Sequence, residues 1–355
     1  MTVPLAGLRA ALLDQVPHLA DWPLEPMAAK GLAHDHVRLV GSHLLARIPK
    51  QSQMRLGAQD NLQYQQACFD RAAASGHVPA FFQRLQPTAE LARGALIVQE
   101  IEGLPARLPE DLPRLMQTLA AIHALPVPLK ENAAPLLYPE DPLLAMLLEI
   151  RQQAAYIPGA GLQNSVTGVI HDELVALQTL CATTERPQRR LIAFDGHPGN
   201  YVVSEPVSGA GISKAYLVDL EKCRYSYPGF DLAHATLYTS TTWDADNPVI
   251  LRTEEVLNAY RSWEQAVGPA IAASTSPWHM ALRRAMWLWS ITWCAKWRVA
   301  SQAPTSQSED GEDWSAEQLD APLAAHVHER VDHYLSAECV QNVSAGFAEL
   351  QVLLT

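Results

Sequence analysis

The chain has 355 residues, 48% hydrophobic and 18% charged, a composition that excludes a disordered protein and allows a large core with two lobes. Its 26 Lys and Arg against 38 Asp and Glu leave a formal charge of −12, which speaks against nucleic acid as the partner. Five scattered cysteines without a Cys-x-x-Cys, no apolar run of membrane-spanning length and no basic-then-apolar leader predict a soluble protein with reduced thiols, cytoplasmic and without a membrane partner.

In chain order, Leu5 to Val16 sets Leu8, Leu12, Leu13 and Val16 on one side of a helix, punctuated afterwards by Pro17, Pro23 and Pro26. Lys30 to Val40 and Leu44 to Pro49 read as strands joined by a turn at Gly41 and Ser42. Asn61 to Ser75 predicts a helix closed by Gly76, and Ala95 to Gly103 a buried strand running into a polar turn. Leu115 to Leu125 is an apolar helix stopped by Pro126, with His123 as a packing residue. Two further helices, about 142–155 and 165–183, carry no catalytic motif. Beyond them, Arg186, Arg189 and Arg190 suit a solvated turn.

The informative stretch runs from Leu191 to Asp231. An apolar run, Leu191 to Phe194, breaks at Asp195-Gly-His-Pro-Gly-Asn200. Tyr201 to Val203 and Tyr216 to Val218 then flank a turn-rich connection, the pattern of a hairpin with a long loop. The residue before its first strand and the residue after its second lie at one end, so Asn200 meets Asp219 and Asp195 stands beside them. Two carboxylates and an amide oxygen suit a hard divalent cation, with one carboxylate left as a base.

Asp195-Gly-His-Pro-Gly-Asn200, then Leu217-Val218-Asp219-Leu220-Glu221, then Pro228-Gly229-Phe230-Asp231-Leu232-Ala233 resembles the aminoglycoside phosphotransferase and choline kinase superfamily. The resemblance implies an α+β, protein-kinase-like fold, with a small sheet-rich N-lobe over residues 1–100 and a large, mainly helical C-lobe over 101–355. It implies ATP and Mg²⁺ as cofactors and a small-molecule hydroxyl as acceptor, with Asp195 orienting and deprotonating the hydroxyl and Asn200 and Asp219 holding metal. Gly31 falls in the phosphate-covering turn, Arg47 at the basic strand position, and Glu100 and Ile101 at the adenine-facing hinge. Asp231 resembles the buried acid that accepts loop N–H groups, and Glu221 an acid near metal or substrate. Two positions depart from the pattern. The helix after Arg47 offers Gln63, Gln65 and Gln66 where a Glu is usual, with Asp60 and Asp70 as other partners, and Ala193 stands where a His is usual.

Trp289, Trp293 and Trp297 recur every four residues and share a helix face, which suits a core stripe as well as a binding wall. The segment resembles the tryptophan-bearing helix of choline kinases, where rings box an ammonium group. That implies a cationic acceptor, an amino alcohol such as choline or ethanolamine ahead of an aminoglycoside or sugar, with Tyr238 and Trp243 lining the same pocket. The rival expectation is a catalytically weak or inactive kinase-like protein that binds nucleotide to regulate. The chain ends with a polar acidic loop, 301–320, and helices at about 321–335 and 337–353.

Overall fold

The computed structural model describes residues 3–28, 33–204, 213–244, 247–302 and 321–354. Gly31, the middle of the hairpin connection (205–212) and most of the acidic loop (303–320) lie outside them.

A five-stranded antiparallel sheet in the order β1-β2-β3-β5-β4 forms the first part of the molecule. Its strands are β1 (Leu24–Pro26), β2 (His34–Leu39), β3 (Leu44–Pro49), β4 (Phe81–Leu85) and β5 (Ala95–Gln99). Because successive side chains point to opposite faces, Ala95 and Ile97 of β5 join Leu44, Ala46 and Ile48 of β3 on one face. There they meet Leu8 and Leu12 of α1 (Leu5–Gln15). Leu96 and Val98 face the other way, against Leu62 and Phe69 of α2 (Ala58–Ala72). Both faces are covered, which is why β5 is an unbroken apolar run. The same alternation turns Arg47 away from α1 and towards the α2 face.

β1 and β4 were not foreseeable as strands. β1 contains a proline and is mostly exposed at the sheet edge. β4 has no clean alternation, with a register shift between Phe81 and Gln83. α2 runs on into a 3₁₀ turn, Ala73–Ser75, which Gly76, at φ +65°, closes.

The remainder is mainly helical. A three-stranded antiparallel sheet, β6 (Leu104–Pro105), β8 (Tyr201–Ser204) and β9 (Lys214–Leu217), lies beside a two-stranded pair, β7 (Arg190–Ile192) with β10 (Arg224–Ser226). Around them stand α3 (Leu112–His123), α4 (Pro142–Ala154), α5 (Asn164–Cys181), α6 (Pro228–Thr236), the short α7 (Tyr238–Thr241), α8 (Thr253–Val267), α9 (Pro269–Thr275), α10 (His279–Ala300), α11 (Ala321–Tyr334) and α12 (Ala337–Leu354). Fifteen of the 22 residues of α10 are buried, so it is apolar nearly all round. It packs on α4, α5, α6, α11 and α12 and is the axis of this part. Among the described residues, no helix is long and apolar enough to cross a membrane.

Candidate active site

The β8–β9 hairpin is closed by Tyr201 paired with Leu217 and by the Val218 N–H donating to the Asn200 carbonyl at 2.9 Å. Asn200 and Asp219 thus flank one end, nineteen positions apart in sequence. Pro198 begins a single 3₁₀ turn over Pro198–Asn200, a place where its missing N–H costs nothing. The Asn200 amide nitrogen donates to the Asp195 backbone carbonyl at 2.8 Å, which fixes the loop and leaves Oδ1 as the group Asn200 presents. Asp231, fully buried at the start of α6, accepts from the Ala193 N–H at 2.7 Å and the Phe194 N–H at 2.8 Å. Phe194 itself has φ +61°, strained for an aromatic residue. The Asp231 bonds hold it there, one residue before Asp195.

Both acids of the site face cations of the chain. Lys222 Nζ bonds Asp195 Oδ2 at 2.8 Å, and Arg47 Nη2 bonds Asp219 Oδ1 at 2.7 Å while its Nη1 donates to the Val218 carbonyl at 2.6 Å. Burial alone would raise Asp195, but Lys222, His197 and His234 hold it below the usual carboxylate range. Asp219 is likewise held low by Arg47 against its own burial. Glu221 behaves in the opposite way. It is buried, receives Gln53 Nε2 at 2.8 Å, and is pushed up to about 8, first by burial and then by the Asp219 charge. One ligand atom each from His34, Asp219 and Glu221 lies within 4.8 Å of the others.

A carboxyl raised on folding binds a proton that the unfolded chain has lost. Stability should therefore fall as pH rises from the ordinary carboxyl value of 4.5 towards about 8. In metal-free buffer, Glu221→Gln should flatten that decline, read as the urea midpoint on both sides of pH 8. A slope unchanged by the substitution would remove Glu221 as its source.

The family model for the phosphotransferase enzyme family matches residues 28–266, more than half of the chain. The chain belongs to the phosphotransferase enzyme family. It is a small-molecule kinase, and its protein-kinase-like fold recurs in solved structures. An ethanolamine kinase of Plasmodium vivax is 11% identical with a TM-score of 0.59, covering 92% of this chain and 86% of its own. A choline kinase of Cryptosporidium parvum is 12% identical with a TM-score of 0.58, covering 99% of both chains. The GDP complex of wild-type aminoglycoside 2'-phosphotransferase-IIIa is 15% identical with a TM-score of 0.57, covering 94% of this chain and 99% of its own. No curated protein matches the sequence.

In this phosphotransferase the usual helix Glu has no charged replacement on α2. Gln65 is buried and its Oε1 lies 3.0 Å from His34 Nε2, while Gln66 points to Asp70. Arg47 takes Asp219 as its acid instead, with its guanidinium also 5.6 Å from the Phe69 ring. Ala193 lacks the histidine side chain, but His234 of α6 reaches the same loop, its Nδ1 3.2 Å from the Phe194 carbonyl. Glu100 spends its N–H on the His43 carbonyl at 2.9 Å and its carboxylate on Arg38 Nε at 2.6 Å. Ile101, next to it, is half-buried.

Trp289 and Trp293 line a cavity of about 230 Å³ next to this site, whereas Trp297 is buried edge-on against His328. Eight residues on a helix of 3.6 per turn rotate by about 80°, enough to carry the third tryptophan off the shared face. Tyr238, expected on the same wall, lines a different cavity of about 440 Å³ with Arg283 and Phe347, and its hydroxyl bonds His333 at 2.7 Å. The cause is local. α7 turns Tyr238 towards α11, and Trp243 packs against Trp293 at 5.9 Å between ring centres. Sequence reasoning passed over Lys222, His34 and His234. Lys222 left no signal, because it stands in the sequence among other charged residues, Asp219, Glu221 and Arg224.

Proposed function

We propose that this phosphotransferase moves the terminal phosphoryl group of Mg·ATP to a hydroxyl of a small molecule, with Asp195 orienting the hydroxyl and accepting its proton. The observation that supports this most is the hairpin closure, Val218 N–H to the Asn200 carbonyl at 2.9 Å, beside a loop in which Asn200 is bonded to Asp195. An O–P bond forms to the acceptor oxygen. The bond from phosphorus to the bridging oxygen breaks, ADP leaves with that electron pair, and the hydroxyl proton passes to Asp195. Lys222 keeps Asp195 ionised but weakly basic, which suits a loose transfer that asks for orientation more than for early proton removal.

Asn200 and Asp219 fit magnesium as hard oxygen donors, the first with Oδ1 left outward, the second an ionised carboxylate with one oxygen on Arg47. Magnesium, when bound, neutralises phosphate charge. Arg47 supplies a second positive group from the sheet, and Glu100 and Ile101 would border the base. In this reading residues 1–100 form the nucleotide-covering lobe and 101–355 the catalytic and acceptor-binding lobe, working in the cytoplasm on its nucleotide supply.

The test is ADP release by the full chain over a panel of hydroxyl compounds, paired with melting curves with ATP, with and without Mg²⁺. The expected result is stabilisation that needs Mg²⁺ and turnover that needs an acceptor. Nucleotide binding without turnover for any acceptor would favour the regulatory, non-catalytic reading.

A further inference from the structure

The cavity next to Asp195 has a lopsided wall. Four basic side chains, Arg55, Lys222, Arg224 and Lys296, border it, against one carboxylate, Glu149. That carboxylate is already engaged at both oxygens, one accepting from Arg224 Nη1 at 3.1 Å and the other from Trp289 Nε1 at 2.8 Å. One of the aromatic faces on this cavity, that of Trp289, already stands beside a cation of the chain. Lys222 Nζ lies 5.9 Å from the Trp289 ring centre. A second cation here would meet like charge in partly desolvated surroundings. An anion would meet two or more cationic groups, with the amide of Gln153 as a further donor.

Lys222 connects this wall to the chemistry. Its ammonium bonds Asp195 Oδ2 at 2.8 Å while its side chain borders the cavity. A molecule seated in the cavity therefore has Asp195 within one side chain's reach. We infer that the acceptor carries an anionic group, a carboxylate or a phosphate, as well as the hydroxyl that receives the phosphoryl group. This rests on the reading of Asp195 as the residue that orients that hydroxyl, and it replaces the ammonium box with an anion cradle built on the same helix, α10, and on the segment from Gln53 to Arg55.

The experiment uses the full chain with Mg·ATP and four acceptors of similar size: glycerate, glycerol phosphate, glycerol and choline. We expect kcat/KM for at least one of the two anions to exceed that for glycerol by at least tenfold, with choline below glycerol. The better of the two anions tells carboxylate from phosphate. Lys296→Glu should cut the anion-to-glycerol ratio by at least tenfold, and Lys296→Gln by less. A nucleotide-free titration of tryptophan fluorescence with each anion reads binding itself, expected to saturate in the wild type and to be lost in Lys296→Glu. Preference for choline, or a ratio and a titration that Lys296→Glu leaves in place, overturns the inference while phosphoryl transfer through Asp195 stands. If no acceptor is turned over, the titration decides. Saturable anion binding lost in Lys296→Glu upholds the cradle and places the failure in the catalytic reading, whereas no saturable binding of either anion overturns the cradle.

Discussion

Asp195→Asn is expected to lower kcat by about 10²–10⁴-fold, the usual contribution of a positioned base, with nucleotide still raising the melting temperature. The amide can point at a hydroxyl but cannot take its proton, so the loss should fall on the chemical step and leave nucleotide binding in place. A second effect accompanies it. The carboxylate of Asp195 is held low on folding, so its pairing with Lys222 contributes stability above the ordinary carboxyl range and loses it as pH falls through the depressed value. At neutral pH the Asn variant forfeits that contribution and leaves the Lys222 ammonium buried without its counter-ion. The double variant Asp195→Asn with Lys222→Met removes the orphaned charge and should regain part of the stability without regaining activity. Urea midpoints and single-turnover rates on the three proteins separate the two effects. A kcat within about tenfold of wild type would remove Asp195 from the role of base.

The hairpin was legible because it is a local feature: two short apolar runs and their flanking polar residues dictate which side chains share an end, whatever the rest of the chain does. The sheet faces were legible for the same reason, since the period of two puts Arg47 opposite Ala46 without any knowledge of neighbours. Partnerships made across long separations were not. Lys222 meets Asp195 across 27 positions and Arg47 meets Asp219 across 172. Nothing in the spacing of either pair announces such a bond. The tryptophan stripe shows the same limit. Trp289, Trp293 and Trp297 share a helical period, yet what lies opposite them is set by α4, β10 and α11, and those elements bring Glu149, Arg224 and His328.

Asp231→Asn should cost about 3 kcal/mol or more of folding stability, from buried donors left without acceptors at about 1–3 kcal/mol each. Asp231 is fully buried and accepts three donors: the N–H groups of Ala193 and Phe194, and His123 Nε2 at 3.0 Å. An amide keeps one accepting oxygen and sets its own NH₂ against a group that also donates. His123 cannot relieve the clash by moving its proton, because Trp263 Nε1 donates to His123 Nδ1 at 2.9 Å and so requires that nitrogen to accept. The Phe194 backbone, at φ +61°, then has less to hold it in its strained conformation, and Asp195 beside it loses its position. Activity should fall together with stability, unlike the Asp195 variant, in which kcat falls far more than the fold loosens. The indole is the check on this account. Adding Trp263→Phe frees Nδ1 to carry the proton, so that Nε2 can accept from the new amide. The double variant should therefore be more stable than the sum of the two single losses, by about 1 kcal/mol or more in a double-mutant cycle. Strict additivity would mean that the tautomer of His123 does not decide what Asp231 contributes.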